Sequence, residues 1–250
     1  MSASIIIPGP ATSVAPCTAS ASPRSALSRA ECDELFALLD THFDGVNAMQ
    51  FARDLEEKDW VLRIRRDDRL VGFTTLKVYG TRFENERVNV IYSGDTITEP
   101  EVWGSPVLGR TWVPLVRQLV AERPAEPWYW LLLSSGFRTY RFLPIFFREF
   151  WPRHESSTPP RSMALMAHLA RERFGDLFDE GAGVVRFAHP QRLREGLAAV
   201  PHGKRLDPHV AYFLERNPAH GDGDELVCLT ALNDDNFSSA GRRMMRDRSR

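Results

Sequence analysis

The sequence predicts an α/β fold: a mixed central sheet flanked by helices, followed by a less regular C-terminal half. Two observations carry it. Residues 60–66 (WVLRIRR) alternate at the period of a half-buried strand, Asp67-Asp68 supply a turn, and 70–79 (LVGFTTLKVY) return as the second arm of a hairpin. Residues 128–135 (WYWLLLSS) form an unbroken apolar run between Pro127 and Gly136, as a strand covered on both faces requires.

The remaining elements follow in order. Residues 1–24 are rich in Ala, Ser, Pro and Thr with almost no charge, and read as a disordered leader. A main domain is expected over 25–236, with its core at 60–155. It opens on a helix with apolar residues at Leu27, Ala30, Leu35, Leu38 and Leu39, where Ser28 and Glu31 have the spacing of a capping box. A short helix at 48–57 precedes the hairpin, and 88–93 (VNVIYS) make a third strand. The loop GDTITEPEVWGSP then leads to a helix whose start is marked by Gly104-Ser105-Pro106 and which runs to about 122, with Pro114 expected to kink it. After the apolar strand, Gly136 breaks the chain and 139–150 (TYRFLPIFFREF) read as a helix with an aromatic face.

Beyond a linker at 154–161, a helix is expected over 163–178, a short strand at 183–187, a short helix at 192–200 and a strand at 223–232. The segment 209–217 fits either a strand or a helix. The chain ends in GRRMMRDRSR, so 237–250 read as a basic disordered tail, either simply solvated or in contact with an acidic partner.

Composition narrows the function. The chain has 250 residues and a formal net charge of −1, so no global field argues for nucleic acid or an anionic membrane. Only Lys58, Lys77 and Lys204 among the 32 basic residues are lysines. Cys17, Cys32 and Cys228 are odd in number and not spaced as metal ligands, which fits a reducing, cytoplasmic setting. No apolar run reaches the ~18–20 residues of a membrane span, and the N-terminus lacks the basic region of a signal peptide. The seven histidines show no metal-binding spacing; no nucleophile elbow and no P-loop is present, and no metal is expected. His202 and His209 remain isolated candidates for acid–base work.

The order of three strands, a glycine-containing loop, a helix, a buried strand, another helix and a later strand resembles the GNAT superfamily of acyltransferases. The phrases GFRTYRFLPIFFREFWPR (136–153), RNPAH and GDELVCL are similar to those of long-chain N-acyl amino acid synthases and GNAT-like maturases that lipidate peptides or small metabolites. The resemblance implies an acyl-CoA or acyl-carrier-protein thioester as co-substrate, no tightly bound cofactor, and an amine acceptor on a small molecule or peptide.

It also implies a set of site residues. The strand end Tyr92-Ser93-Gly94 would orient the thioester carbonyl. The segment Gly104, Ser105, Val107, Leu108, Gly109 and Arg110 would hold the phosphate arm at a helix N-terminus, where unpaired amides and the helix dipole favour anions. The family's loop is Gln/Arg-x-x-Gly-x-Gly/Ala; here Gly104 and Gly109 are five apart and Pro106 removes an amide, a departure that counts against coenzyme A and that a carrier-protein thioester, which lacks the adenosine diphosphate, would tolerate. Ser134 and Ser135 end the buried strand where the family often has Asn, and Tyr140 is the phenol placed to protonate a leaving thiolate. For the base, Asp95 and Glu101 in the loop are the chosen carboxylates, with Glu99, Glu84 and Glu86 as further candidates.

The aromatic residues between Phe137 and Trp151 form either a large core or a groove for a long acyl chain, with Arg138, Arg141, Arg148 and Arg153 interleaved. Three functions follow: an N-acyltransferase, a non-catalytic module of the same fold that binds a lipid or protein, and a peripheral membrane protein using FLPIFFREFW as an interfacial helix.

Overall fold

The structure, a computed structural model, describes residues 16–194 and 196–245. An eight-stranded sheet organises it. The edge strand β1 (Cys17–Pro23) is followed by α1 (Arg29–His42), the two-residue β2 (Phe43–Asp44) and α2 (Ala48–Glu56). Then come β3 (Trp60–Arg66), β4 (Arg69–Phe83) and β5 (Glu86–Thr98), consecutive antiparallel strands. Helix α3 (Val107–Ala121) crosses over to β6 (Trp128–Ser134), which lies parallel to β5. Short helices α4 (Phe137–Tyr140) and α5 (Phe142–Phe146) precede α6 (Pro160–Phe174) and the small strands β7 (Phe178–Asp179), β8 (Val184–Val185) and β9 (Arg192–Leu193). Helix α7 (Pro208–Arg216), strand β10 (Glu225–Ala231) and helix α8 (Ser239–Met244) complete the chain. The sheet order is β1-β3-β4-β5-β6-β10-β8-β7, antiparallel except at β5–β6, and β2 pairs with β9 separately.

The α/β fold with a mixed sheet flanked by helices is therefore as the sequence predicts. Two layers cover the sheet. On one face, α3, α4, α5 and α7 pack on Leu62, Ile91, Trp130, Leu132, Leu226 and Cys228. On the other, α6 covers Val90, Tyr92, Leu131, Leu133 and Val227, while α1 and α2 cover Val61, Phe73 and Ile97. Alternation along each strand sends neighbouring residues to opposite layers. Helix α1 starts as expected: the Ser28 hydroxyl accepts from the Glu31 N–H, and the Glu31 carboxylate accepts from the Ser28 N–H at 2.8 Å. That carboxylate also pairs with Arg63 of β3, and these contacts hold its pKa down at about 2.

Five local expectations are corrected. Residues 17–23 are not leader: Cys17, Ala19 and Ala21 alternate inward and pack on the core, and all seven residues pair with β3. Residues 1–15 lie outside the described residues. The tail is helical over Ser239–Met244, capped by the Ser238 hydroxyl, and 246–250 lie outside the description. The third strand does not stop at Ser93 but continues to Thr98, taking up the first half of the expected loop. The aromatic segment is not one helix. It ends its helical part at Phe146 and becomes an extended strap, bridged at Phe147 to Phe237 and at Trp151 to Leu229. Residues 196–200 form no helix, whereas 209–217, undecided from sequence, contain α7.

Helix α3 runs through Pro114 as one element. Among the described residues, no helix is long and apolar enough to cross a membrane. The interfacial-helix reading of FLPIFFREFW fails on burial: Leu143, Phe146, Phe147, Phe150 and Trp151 are core residues, and among the segment's apolar side chains only Ile145 is exposed.

Candidate functional site

The parallel pairing of β5 with β6 runs from Asn89↔Trp128 to Ser93↔Leu132 and ends there. Past that point β5 stays with β4, through an irregularity between Thr74 and Leu76, while β6 stays with β10. The two central strands thus part at Ser93-Gly94, leaving backbone on the β6 side of Gly94 without a strand partner. A concavity opens on each face of the sheet at this gap.

On the α6 face lies a cavity of about 450 Å³ between α1–α2, the end of α6 and the 187–191 segment. Its floor is Tyr92, Gly94, Asp95, Leu133 and Glu225. Parity explains the set: Tyr92 shares its face with Val90, and Glu225 shares its face with Val227 and Leu229. Lys58, in the turn between α2 and β3, reaches in from the side and is 7% exposed. A Cβ on Gly94 would lie 2.7 Å from Thr75 Oγ1, 2.8 Å from Lys58 Cε and 3.2 Å from Lys58 Nζ, so only glycine leaves room for the lysine. The Thr75 hydroxyl is buried there with no partner among the described residues. The Arg173 guanidinium lies 4.1 Å from the centre of the Tyr92 ring, a cation–π contact at the cavity wall.

Burial governs the electrostatics. The Glu225 carboxyl is half-buried in the cavity floor; desolvation there, then the nearby Asp95 charge, push its pKa up to about 8. Desolvation raises the Asp95 pKa as well, and the Lys58 charge opposes that rise without cancelling it. Lys58 is moved down, chiefly by its own desolvation. Burial pushes the Tyr92 phenol up, which keeps it protonated. The cavity therefore holds two carboxyls whose pKa values are raised, Glu225 to about 8, beside a lysine whose pKa is lowered.

On the α3 face the gap is a narrow apolar cleft of about 20 Å³, walled by Trp112, Trp130, Leu132, Phe142 and Phe146 and touching Ser93 and Thr96. The Trp130 indole donates to Ser93 Oγ at 2.8 Å. The Trp112 indole N–H is buried with no partner among the described residues.

Of the residues read from sequence, Tyr92, Ser93, Gly94, Asp95 and Ser135 meet at the gap. Val107, Leu108 and Gly109 open α3, above the cleft. The first helical bond runs from the Arg110 N–H to Pro106 O, so the amides of Leu108 and Gly109 precede it, while the Val107 N–H is taken by Ser105 Oγ at 3.3 Å. Gly109 is nonetheless a packing glycine: a Cβ there would lie 2.6 Å from Phe146 Cζ. Gly104 turns the chain at φ +82 with open space around it, and Arg110 is exposed without an ion pair among the described residues.

Other candidates are placed elsewhere. Tyr140 is fully buried, donates to Pro152 O at 2.9 Å and packs on Phe150 and Phe213; burial raises its pKa, so it is a core tyrosine and not a site acid. Glu101 pairs with Arg66 at 2.8 Å and Arg69 at 2.6 Å on the sheet's rim, where Glu99 joins it. Glu84 and Glu86 pair with Arg161. Ser134 is buried against Cys228. The aromatic residues mostly pack on one another: Phe147 lies against Trp112, Trp130 and Phe237. Three of the interleaved arginines are tied locally, Arg138 over the Trp103 ring at 3.5 Å, Arg141 to Asp207 at 3.3 Å and Arg153 to Ser156 at 3.0 Å.

Sequence reasoning missed Lys58, Glu225 and Arg173. Glu225 had a readable signal, an acid in a strand whose same-face neighbours Val227 and Leu229 are apolar. Lys58 had one too, as a rare lysine in an arginine-rich chain.

No protein-family model and no curated protein matches this chain. Among solved structures it is similar to a conserved protein of unknown function from Enterococcus faecalis, described as a probable N-acyltransferase, at 16% identity and a TM-score of 0.40. That match covers 54% of this chain and 36% of the other, about a third of that protein's length. It is similar to an acyl-CoA N-acyltransferase from Pseudomonas aeruginosa at 16% identity and a TM-score of 0.35, over 46% of this chain and 79% of that one. The GNAT family N-acetyltransferase YhbS from Escherichia coli, in complex with CoA, matches at 11% identity and a TM-score of 0.35, over 52% of this chain and 67% of that one. Likeness at this level bears on neither activity nor substrate.

Proposed function

We propose that this chain is an N-acyltransferase that moves an acyl group from a thioester to an amine by direct attack. One observation carries the reading. The gap at Ser93-Gly94 lies between an apolar cleft on one face of the sheet and a carboxylate-lined cavity on the other. A thioester and an amine admitted from opposite faces would meet at that backbone.

In this reading the thioester arm enters from the α3 side. The first turn of α3 faces its phosphate, with Arg110 adding charge, and the unpartnered Trp112 N–H is a donor for an amide of the arm. The acceptor occupies the 450 Å³ cavity. Its nitrogen attacks the carbonyl carbon, the oxygen takes up charge beside the Gly94 backbone and Lys58, and the carbon–sulfur bond then breaks. The proton lost by nitrogen passes to Glu225 or Asp95, directly or through water, and the departing thiolate takes a proton from solvent. A carboxyl with a pKa of about 8 is matched to that role near neutral pH. Holding both reactants in line supplies much of the rate.

The narrowness of the cleft, closed by Phe142 and Phe146, supports a second reading, a module of the same fold that binds a ligand without turnover. Native mass spectrometry with acetyl-, octanoyl- and palmitoyl-CoA and the matching acyl-carrier proteins separates the two. The enzyme reading expects thioester binding, and acylated product once amines are added. Binding with no product for any amine supports the module. No binding of any thioester defeats the enzyme.

A further inference from the structure

The geometry points to a divalent transition-metal site formed by His154, Glu155 and His209, on the α3 side of the sheet and away from the gap. One ligand atom from each residue lies within 4.8 Å of the other two. Glu155 Oε1 is 3.6 Å from His154 Nε2 and 3.7 Å from His209 Nε2. Those distances are too long for hydrogen bonds. They are a few tenths of an ångström above the edge of a tetrahedron around an ion bound at ~2.0–2.2 Å, which is about 3.4 Å. A shared cation would close those two edges with small side-chain movements, while the third, between the two imidazoles, lies within 4.8 Å.

The backbone that carries the ligands is fixed before any ion arrives. His154 and Glu155 sit in a turn closed by the Arg153–Ser156 bridge, with Arg153 Nε donating to Ser156 Oγ at 3.0 Å and its Nη1 donating to Arg148 O at 2.8 Å. His209 is fixed at the start of α7, where its N–H donates to the Asp207 cap at 3.0 Å. The two imidazoles stand edge to face, 4.6 Å between centres. The Arg141 charge nearby is offset by its pair with Asp207.

Two imidazoles and one carboxylate suit zinc, copper or nickel; calcium and magnesium prefer all-oxygen shells. Three protein ligands leave a fourth position to water or to an exogenous group. Bound there, the ion would staple the 148–156 strap to α7.

Calorimetric titration of the full chain with zinc at neutral pH tests this, with magnesium as the contrast. The expected result is one equivalent of zinc bound, lost in the His154→Ala/His209→Ala double variant, with magnesium silent. Glu155→Gln, the gentler change, lowers affinity about tenfold or more, since even the residues that only support metal ligands are worth about that much. Zinc also raises the melting temperature of the wild type and not of the double variant. Identical zinc binding by wild type and both variants, or equal binding of magnesium, overturns the site. Neither result depends on acyl transfer, so this proposal and the enzymatic one fail separately.

Discussion

Replacing Glu225 with Gln removes one ionisable group and leaves the shape of the cavity floor nearly unchanged. The carboxyl stands at about 8 in the folded protein against an ordinary 4.5. Between those values the native state holds a proton that the unfolded chain has lost. Stability therefore falls as pH rises through that window, is fully retained below about 4.5 and is at its lowest above about 8. At about 1.36 kcal/mol per pH unit, the whole climb corresponds to about 5 kcal/mol. Asp95, also raised, adds a slope of the same sign that survives the substitution. Urea unfolding of wild type and Glu225→Gln at several pH values from 5 to 9, an ordinary buffer range of about four units, isolates the difference. The variant should lose most of the wild-type decline and be the more stable protein at the alkaline end. In the transfer assay it should be slower by about a hundredfold or more. Parallel stability curves would refute the reasoning, because they would mean that Glu225 is solvated like a surface acid.

Three further expectations follow from packing and charge. Gly109→Ala drives a methyl into the Phe146 ring and should cost about 1–3 kcal/mol in chemical denaturation, with Phe146→Leu added on top restoring much of it. Tyr140→Phe strands the buried Pro152 carbonyl, costing about 1–2 kcal/mol, yet should leave transfer per folded molecule unchanged, which a catalytic phenol would not. Lys58→Met removes a poorly solvated ammonium, so thermal melts at neutral pH should show no loss of stability while transfer drops; a variant as active as wild type would remove Lys58 from the mechanism.

The sequence revealed those elements whose pattern is set by a local period. The β3–β4 hairpin, α3 and β6 follow from alternation, a proline at a helix start and an apolar run. It failed where distant partners decide. The strand of Cys17–Pro23 looks like leader because its inward residues are Cys and Ala, too small to mark a strand, and its pairing comes from β3, about forty residues away in the chain. The 139–150 segment has aromatic spacing that suits a helix, but bridges to β10 and Phe237 pull its second half straight. Likewise Thr96 stays in β5 because its hydroxyl meets that of Thr74 at 2.7 Å across the strands.

The site was legible on β5, where Tyr92 to Asp95 follow one another in the chain. Its other half left only single-residue signals, at Lys58 and Glu225, because those two and Arg173 come from three distant segments that meet only over the folded sheet. Tyr140 looked like an acid by order alone; its place beneath Phe150 and Phe213 depends on α7, which sequence did not settle.

The central claim, direct transfer across the gap at Gly94, is tested most directly by a single-turnover balance with excess enzyme, a thioester shown to bind and a panel of primary amines. The account predicts one free thiol released for each N-acyl amine formed, with no acylated protein at any time and no turnover in the Gly94→Val variant, whose side chain displaces Lys58. An acyl-enzyme intermediate, or undiminished turnover in that variant, would contradict it.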